Sequence, residues 1–197
     1  MNGSAFKYLY LFIGLLLGAH AEKTADEKIH LWPAGKVQYT IRRFSRDHLS
    51  PAVIANLTAA MAEISNKTGN CITFEELKGT YGCYPGRRCI KFGESGSASC
   101  ASTVGMKRDP RTSVSTCPTV GAIIHQLLHI LGVNDQHTRP DRDDYIDVHW
   151  NNIFRTGNFR RSFKKRTWDD SLGIPYCYNS IMHYDNYAFA RTKGVKT

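Results

Sequence analysis

The sequence predicts an α+β fold, with a lobe of strands and two long helices followed by a lobe with little regular structure. Three observations predict it. Residues 36–42 alternate apolar and polar side chains. Two later stretches, after Ser50 and after Thr119, repeat apolar residues at helical spacing. Beyond Gly132 the chain turns polar, aromatic and aperiodic. The N-terminal lobe is expected over about 31–133 and the C-terminal lobe over about 134–197.

Residues 1–21 are expected to stand outside that fold. Lys7 gives a short positive region, Tyr8 to Gly18 (YLYLFIGLLLG) an apolar run, and Ala19-His20-Ala21 a small-residue cleavage site. This reads as a secretory signal peptide, and the run is too short to span a bilayer. An uncleaved signal anchor is the alternative. No other segment could cross a membrane, and the mature chain is expected to be secreted. Glu22 to His30 is a short polar lead. KVQYTIR follows as a strand, with Val37, Tyr39 and Ile41 on one face. Ser50-Pro51 supplies an N-cap and a first-turn proline. Val53, Ile54, Leu57, Met61 and Ile64 line the helix that Gly69 ends. Cys71–Leu77 and Cys89–Phe92 read as strands, and 95–102 as a small-residue loop. The second helix should start near Thr119 and end at Gly132, where a residue without Cβ can turn left-handed.

The composition is 42% hydrophobic and 22% charged, which excludes a disordered or low-complexity chain. Six cysteines in an oxidising compartment suggest disulfides. Cys83 and Cys89 flank the turn YPGRR and suit a local bridge. Asn56-Leu57-Thr58 and Asn66-Lys67-Thr68 are glycosylation sequons on a surface helix and its exit. The net charge is +9. Its densest run is Arg160-Arg161 with Lys164-Lys165-Arg166, interleaved with Phe159, Phe163 and Trp168. That run suits heparin-like glycans or other anionic surfaces, or is simply a solvated face. The chain carries no nucleic-acid module.

The chemistry concentrates in HQLLHILGVNDQHTRPDRD, from His125 to Asp143. His125 and His129 stand four apart and so share a helix face. Ile123, Ile124, Leu127, Leu128 and Leu131 make the rest of the helix apolar, hence buried. A pair of hydrogen-bonded core histidines is the plain reading, and two ligands of a metal ion is the other. Gly132 can reverse the chain and bring a third ligand back.

The run from His125 to Arg142 resembles the astacin pattern HExxHxxGxxHExxRxDR, a long form of the metzincin motif. Ser180-Ile181-Met182-His183-Tyr184 resembles that family's Met-turn, and Leu31-Trp32-Pro33 with Val37 and Tyr39 resembles the start of its mature domain. The resemblance covers residues 31–197. It implies a secreted zinc metalloendopeptidase with a mixed N-terminal sheet, acting on peptide or protein. It further implies Met182 beneath one zinc ion and Tyr184 as a swinging ligand that stabilises the transition state. Cys71, Cys100 and Cys117 sit where family cysteines sit, and Cys100 and Cys117 are expected in disulfides.

Three positions depart from the pattern. The family's glutamate takes a proton from the attacking water and hands it to the leaving amine. Gln126 stands there, and an amide cannot accept that proton near neutral pH. The third ligand is Asp135 rather than histidine, and a carboxylate can bind zinc at about 2.0–2.2 Å. Gln136 replaces the glutamate that receives the mature N-terminus, and the nine-residue lead is too short to resemble the usual propeptide. The expected outcome is a family member with lost or weak activity that binds peptide, glycan or another partner. An active peptidase with a His/His/Asp site is the alternative.

Other expectations follow. The family domain normally runs on past the Met-turn to a cysteine that pairs with the one at Cys71. The C-terminal lobe is therefore expected to be incomplete, which leaves Cys177 as the alternative partner of Cys71. MKRDPRTSVST, between Gly105 and Cys117, is expected to be a short substrate-binding edge strand weakened by Pro110. His137 is expected on the surface and His183 as a structural residue. Arg139, Asp141 and Arg142 are expected to form ion pairs that hold the loop after the metal site.

Overall fold

The structure, a computed structural model, describes residues 31–41, 49–78, 83, 88–92, 100–106, 111–113, 117–169 and 171–197. The signal-peptide and lead expectations, and Pro110, fall outside these residues. The chain divides into two compact units, whose described parts run to Val133 and from Asn134 onward.

The first unit is a sheet with two helices. Its strands are β1 (Lys36–Ile41), β2 (Thr73–Glu76), β3 (Ile90–Phe92), β4 (Ala101–Ser102) and β5 (Arg111–Ser113), in the order β2-β1-β3-β5-β4. All neighbours are parallel except β4 and β5. Val37 pairs with Phe74 in register, and Tyr39 with Ile90. Val37, Ile90 and Phe92 are fully buried. Tyr39 is half-buried and meets Phe92 edge-on at 5.7 Å between ring centroids.

Two expectations are corrected here. The segment between Gly105 and Cys117 supplies β5, an interior strand bonded to β3 and β4. The edge on that side of the sheet is β4, from the stretch expected to be a loop. Two residues of small side chain carry no periodic signal, so nothing in the sequence marked β4 as a strand. Nor do Cys71 and Cys177 pair with each other: both are free thiols, Cys71 exposed and Cys177 half-buried. Cys83–Cys89 and Cys100–Cys117 are disulfides with Cα–Cα distances of 5.7 and 4.8 Å.

Helix α1 (Pro51–Lys67) begins as its sequence requires: the Ser50 hydroxyl accepts from the Val53 amide, and Pro51 occupies the first turn. Leu57, Ala60, Met61 and Ile64 form its buried stripe and pack on α2. Helix α2 (Val120–Ile130) is capped by the Thr119 hydroxyl, which accepts from the Ala122 amide at 3.1 Å. It ends in a Schellman turn. Gly132 donates to His129 O and Val133 to Leu128 O, with Gly132 at φ 102. The buried Trp32 indole donates to Ile130 O at 3.0 Å, tying the start of the described chain to the end of α2.

Gly35 joins that entry segment to β1 at φ +66, and a Cβ there would lie 2.0 Å from the Cys71 carbonyl oxygen. Backbone meets backbone, so no rotamer relieves the contact. Gly35→Ala should cost at least ~2 kcal/mol, read from the urea midpoint. An unchanged midpoint would mean the turn is not held as described.

The second unit has almost no ladder. Its backbone runs through single 3-10 turns at Gln136–Thr138, Arg142–Asp144, Trp150–Asn152 and Phe159–Phe163, plus one bridge between Ile153 and Ala190. Buried carbonyls still need donors, and arginines supply them. Arg142 donates to His137 O at 2.9 Å and Phe163 O at 2.8 Å. Arg139 donates to Ile174 O at 2.8 Å, and its fork grips Asp141. The Asp141 bond raises the Arg139 pKa, and Arg139 in turn lowers that of Asp141. Arg142 also pairs with Asp143, which Lys165 holds from its other oxygen. The core around them contains Ile153, Phe163, Tyr176 and Met182.

Candidate metal centre

Helix α2 positions His125 and His129 because a four-residue step returns to one face. Their rings meet edge-on, 4.5 Å between centroids. His129 is buried, and its Nδ1 lies 2.8 Å from Val133 O. A carbonyl only accepts, so Nδ1 carries the proton and the lone pair is on Nε2, as a ligating imidazole requires. The Schellman turn at Gly132 places that carbonyl. Six residues after His129, Asp135 brings a carboxylate. Within the consecutive run His125–Asp135 these three side chains each offer one ligand atom, all within 4.8 Å of one another. Two imidazoles and a carboxylate are donors of the kind zinc takes, so the residues present fit that ion.

Gln126 is buried beside this face, at 8% exposure. The Ser102 hydroxyl of β4 lies 2.9 Å from both its carbonyl and its side-chain Oε1. Sequence reasoning missed Ser102, which sits in a stretch of small residues with no motif. Gly105 donates to His129 O, a second tie between this strand's exit and α2.

Asp135 is held through its backbone. Its carbonyl accepts from the Thr138 hydroxyl and from Arg166, each at 2.8 Å. The next amide, Gln136 N, donates to Met182 O at 2.8 Å. The buried Met182 thus acts through its main chain, anchoring the loop that carries Asp135. Tyr184 is half-buried, and its phenol is pushed up to about 12, first by burial and then by the Asp135 charge. His183 takes a hydrogen bond from the Tyr176 hydroxyl at 2.7 Å and gives one to Tyr184 O at 2.6 Å. Both its nitrogens are engaged, as a structural residue's would be.

His137 corrects its expectation: it is 1% exposed, not on the surface. It stacks on Tyr184 at 3.9 Å between centroids and donates from Nε2 to Ser162 O. Burial above all lowers its pKa to about 4, so it is a neutral ring. The cations of the basic run differ in their partners. Arg166 bonds Asp135 O and Thr138, Arg160 donates to Trp150 O, and Lys165 pairs with Asp143. Arg161 and Lys164 remain exposed. Of the sequon residues, Asn56 is half-buried on α1 and Asn66 exposed, while the Thr68 hydroxyl bonds Ser65 O and receives Ile72 N.

Comparison with known proteins places the chain in a family. The family model for Astacin, a peptidase family, matches residues 24–197. Zinc metalloproteinase nas-14 of Caenorhabditis elegans is 35% identical over 82% of this chain and 30% of its own length. Nematocyst expressed protein 6 of Nematostella vectensis is 35% identical over 80% of this chain and 52% of its own. The chain therefore spans about a third to a half of these relatives. Among solved structures, High choriolytic enzyme 1, a hatching enzyme zinc-protease from Oryzias latipes, superposes with a TM-score of 0.69 at 27% identity. That match covers 90% of this chain and 84% of the enzyme's chain.

Proposed function

The chain belongs to the astacin family, and from that premise we propose that it is a secreted, peptide-binding zinc protein whose hydrolytic step is disabled at Gln126. The observation that carries this reading is an amide at the position where the family pattern has its general base. Zinc held by His125, His129 and Asp135 would polarise a scissile carbonyl as a Lewis acid. Gln126 can orient a water by hydrogen bonding, with Oε1 near the Ser102 hydroxyl, but it cannot take the proton that must leave. Tyr184 stays protonated at neutral pH and can donate to developing negative charge. Arg166 and Met182 act as positioning residues, because they fix the main chain around Asp135. That intact support favours the second reading, an active His/His/Asp peptidase.

Zinc binding is measured by titration calorimetry on the chelator-stripped chain. One ion should bind at neutral pH and be lost in His129→Ala. Asp135→Asn should weaken it at least tenfold. Stoichiometric binding retained in both variants would place the ion elsewhere and remove this site.

A further inference from the structure

Residues 148–168 and 186–197 together hold nine Lys and Arg and no Asp or Glu. The formal charge of the whole chain is also +9, so its entire excess lies in these two segments. The fold lays them side by side. Ile153 bridges Ala190, Phe154 N donates to Phe189 O at 3.1 Å, Arg191 N donates to Asn152 O at 2.7 Å, and Asn152 Nδ2 reaches Lys196 O. Arg155, Arg161, Lys164, Arg191, Lys193 and Lys196 are exposed and make no ion pair among the described residues.

Among these cations three phenylalanines face solvent: Phe154 at 42%, Phe159 at 37% and Phe189 at 37%. They touch one another, with centroids 5.8 Å apart for Phe154 and Phe159 and 4.9 Å for Phe159 and Phe189. Gly157, at φ +71, turns the chain beneath the Phe159 ring. Phe189 in turn rests on the buried Phe163 and on Tyr184, so the rings are fixed from below.

We propose that this cation-rich face of the second unit docks on an anionic phospholipid surface, its phenylalanines entering the acyl boundary and its cations meeting the headgroups. A sulfated glycan would use the same cations, but it has no apolar layer to receive three clustered phenyl rings. The neighbouring groove around Trp150 and Lys164 also carries Asp143 and Asp147, so the anion-seeking character belongs to the phenylalanine face. The proposal is independent of zinc and of Gln126.

Co-sedimentation with phosphatidylcholine vesicles, with and without about a third phosphatidylserine, tests it. The natural chain should bind the anionic vesicles and release from them in high salt. Arg161→Glu with Lys193→Glu should weaken binding more than 25-fold, at about fivefold for each cation removed. Phe154→Ser with Phe159→Ser should weaken vesicle binding at least tenfold while leaving heparin retention unchanged. All three chains share the apolar run at Tyr8–Gly18, so differences between them report this face. Near-UV circular dichroism checks that the variants keep their fold. Should the serine pair unfold, Phe154→Ser alone gives the same reading. Binding that ignores the phenylalanines, or heparin retention without vesicle binding, would overturn the proposal and leave a glycan-binding face.

Discussion

Gln126→Glu should raise peptide hydrolysis by roughly 10²- to 10⁴-fold over the natural chain, the usual contribution of a positioned general base. The change adds no volume and keeps the shape of the side chain, so packing around this buried position is unaltered. The Ser102 hydroxyl near Oε1 would then donate to a carboxylate and keep it ionised. Removing that donor by adding Ser102→Ala to Gln126→Glu should move the acid limb of the kcat/KM profile to higher pH. Asp135→His, added to Gln126→Glu, restores the family's three-histidine set and should raise zinc affinity further. Cleavage of an unfolded protein substrate, with and without chelator, reads each variant. Chelator-sensitive cleavage by the natural chain at the rate of Gln126→Glu would end the disabled-site reading and require another base.

Arg142→Ala should destabilise the chain by ~2–4 kcal/mol, the largest stability loss expected from one polar substitution in the second unit. Arg142 is 3% exposed, and its guanidinium serves His137 O, Phe163 O and Asp143. Truncation leaves two carbonyls without that donor, and each lost partner costs about 1–3 kcal/mol. Arg142→Lys should recover only part, because an ammonium lacks the planar fork that reaches both oxygens. Asp143 is largely exposed and adds little to the pair itself. Urea unfolding of the two variants against the natural chain measures the effect. A loss under about 1 kcal/mol for Arg142→Ala would mean water replaces the arginine without penalty.

The helices and the histidine pair were legible because their signals are local. Ser50, Thr119 and Gly132 are caps whose chemistry acts within one turn, and the spacing of His125 and His129 needs nothing beyond helical geometry. β4 was not legible, because two small residues bear no period, and Ser102 was hidden with it. The second unit was opaque for a related reason. Arg142 meets His137 and Phe163 through side-chain contacts that follow no repeat. His137 was misplaced on the surface because a histidine between polar neighbours gives no sign of the Phe163 and Tyr184 rings that cover it.

The sheet of the first unit also sets the order in which the chain can assemble. Tyr39 must find Ile90, and Lys91 must find Arg111, before β1, β3 and β5 share a ladder. These parallel pairs close long loops whose entropy is lost before any strand contact returns it. The two helices need no such search. Refolding from denaturant should therefore pass quickly through a helical stage and wait on strand registry. During that wait the apolar edges of β1 and β3 are open to neighbouring chains, so dilution will govern the yield of refolded protein.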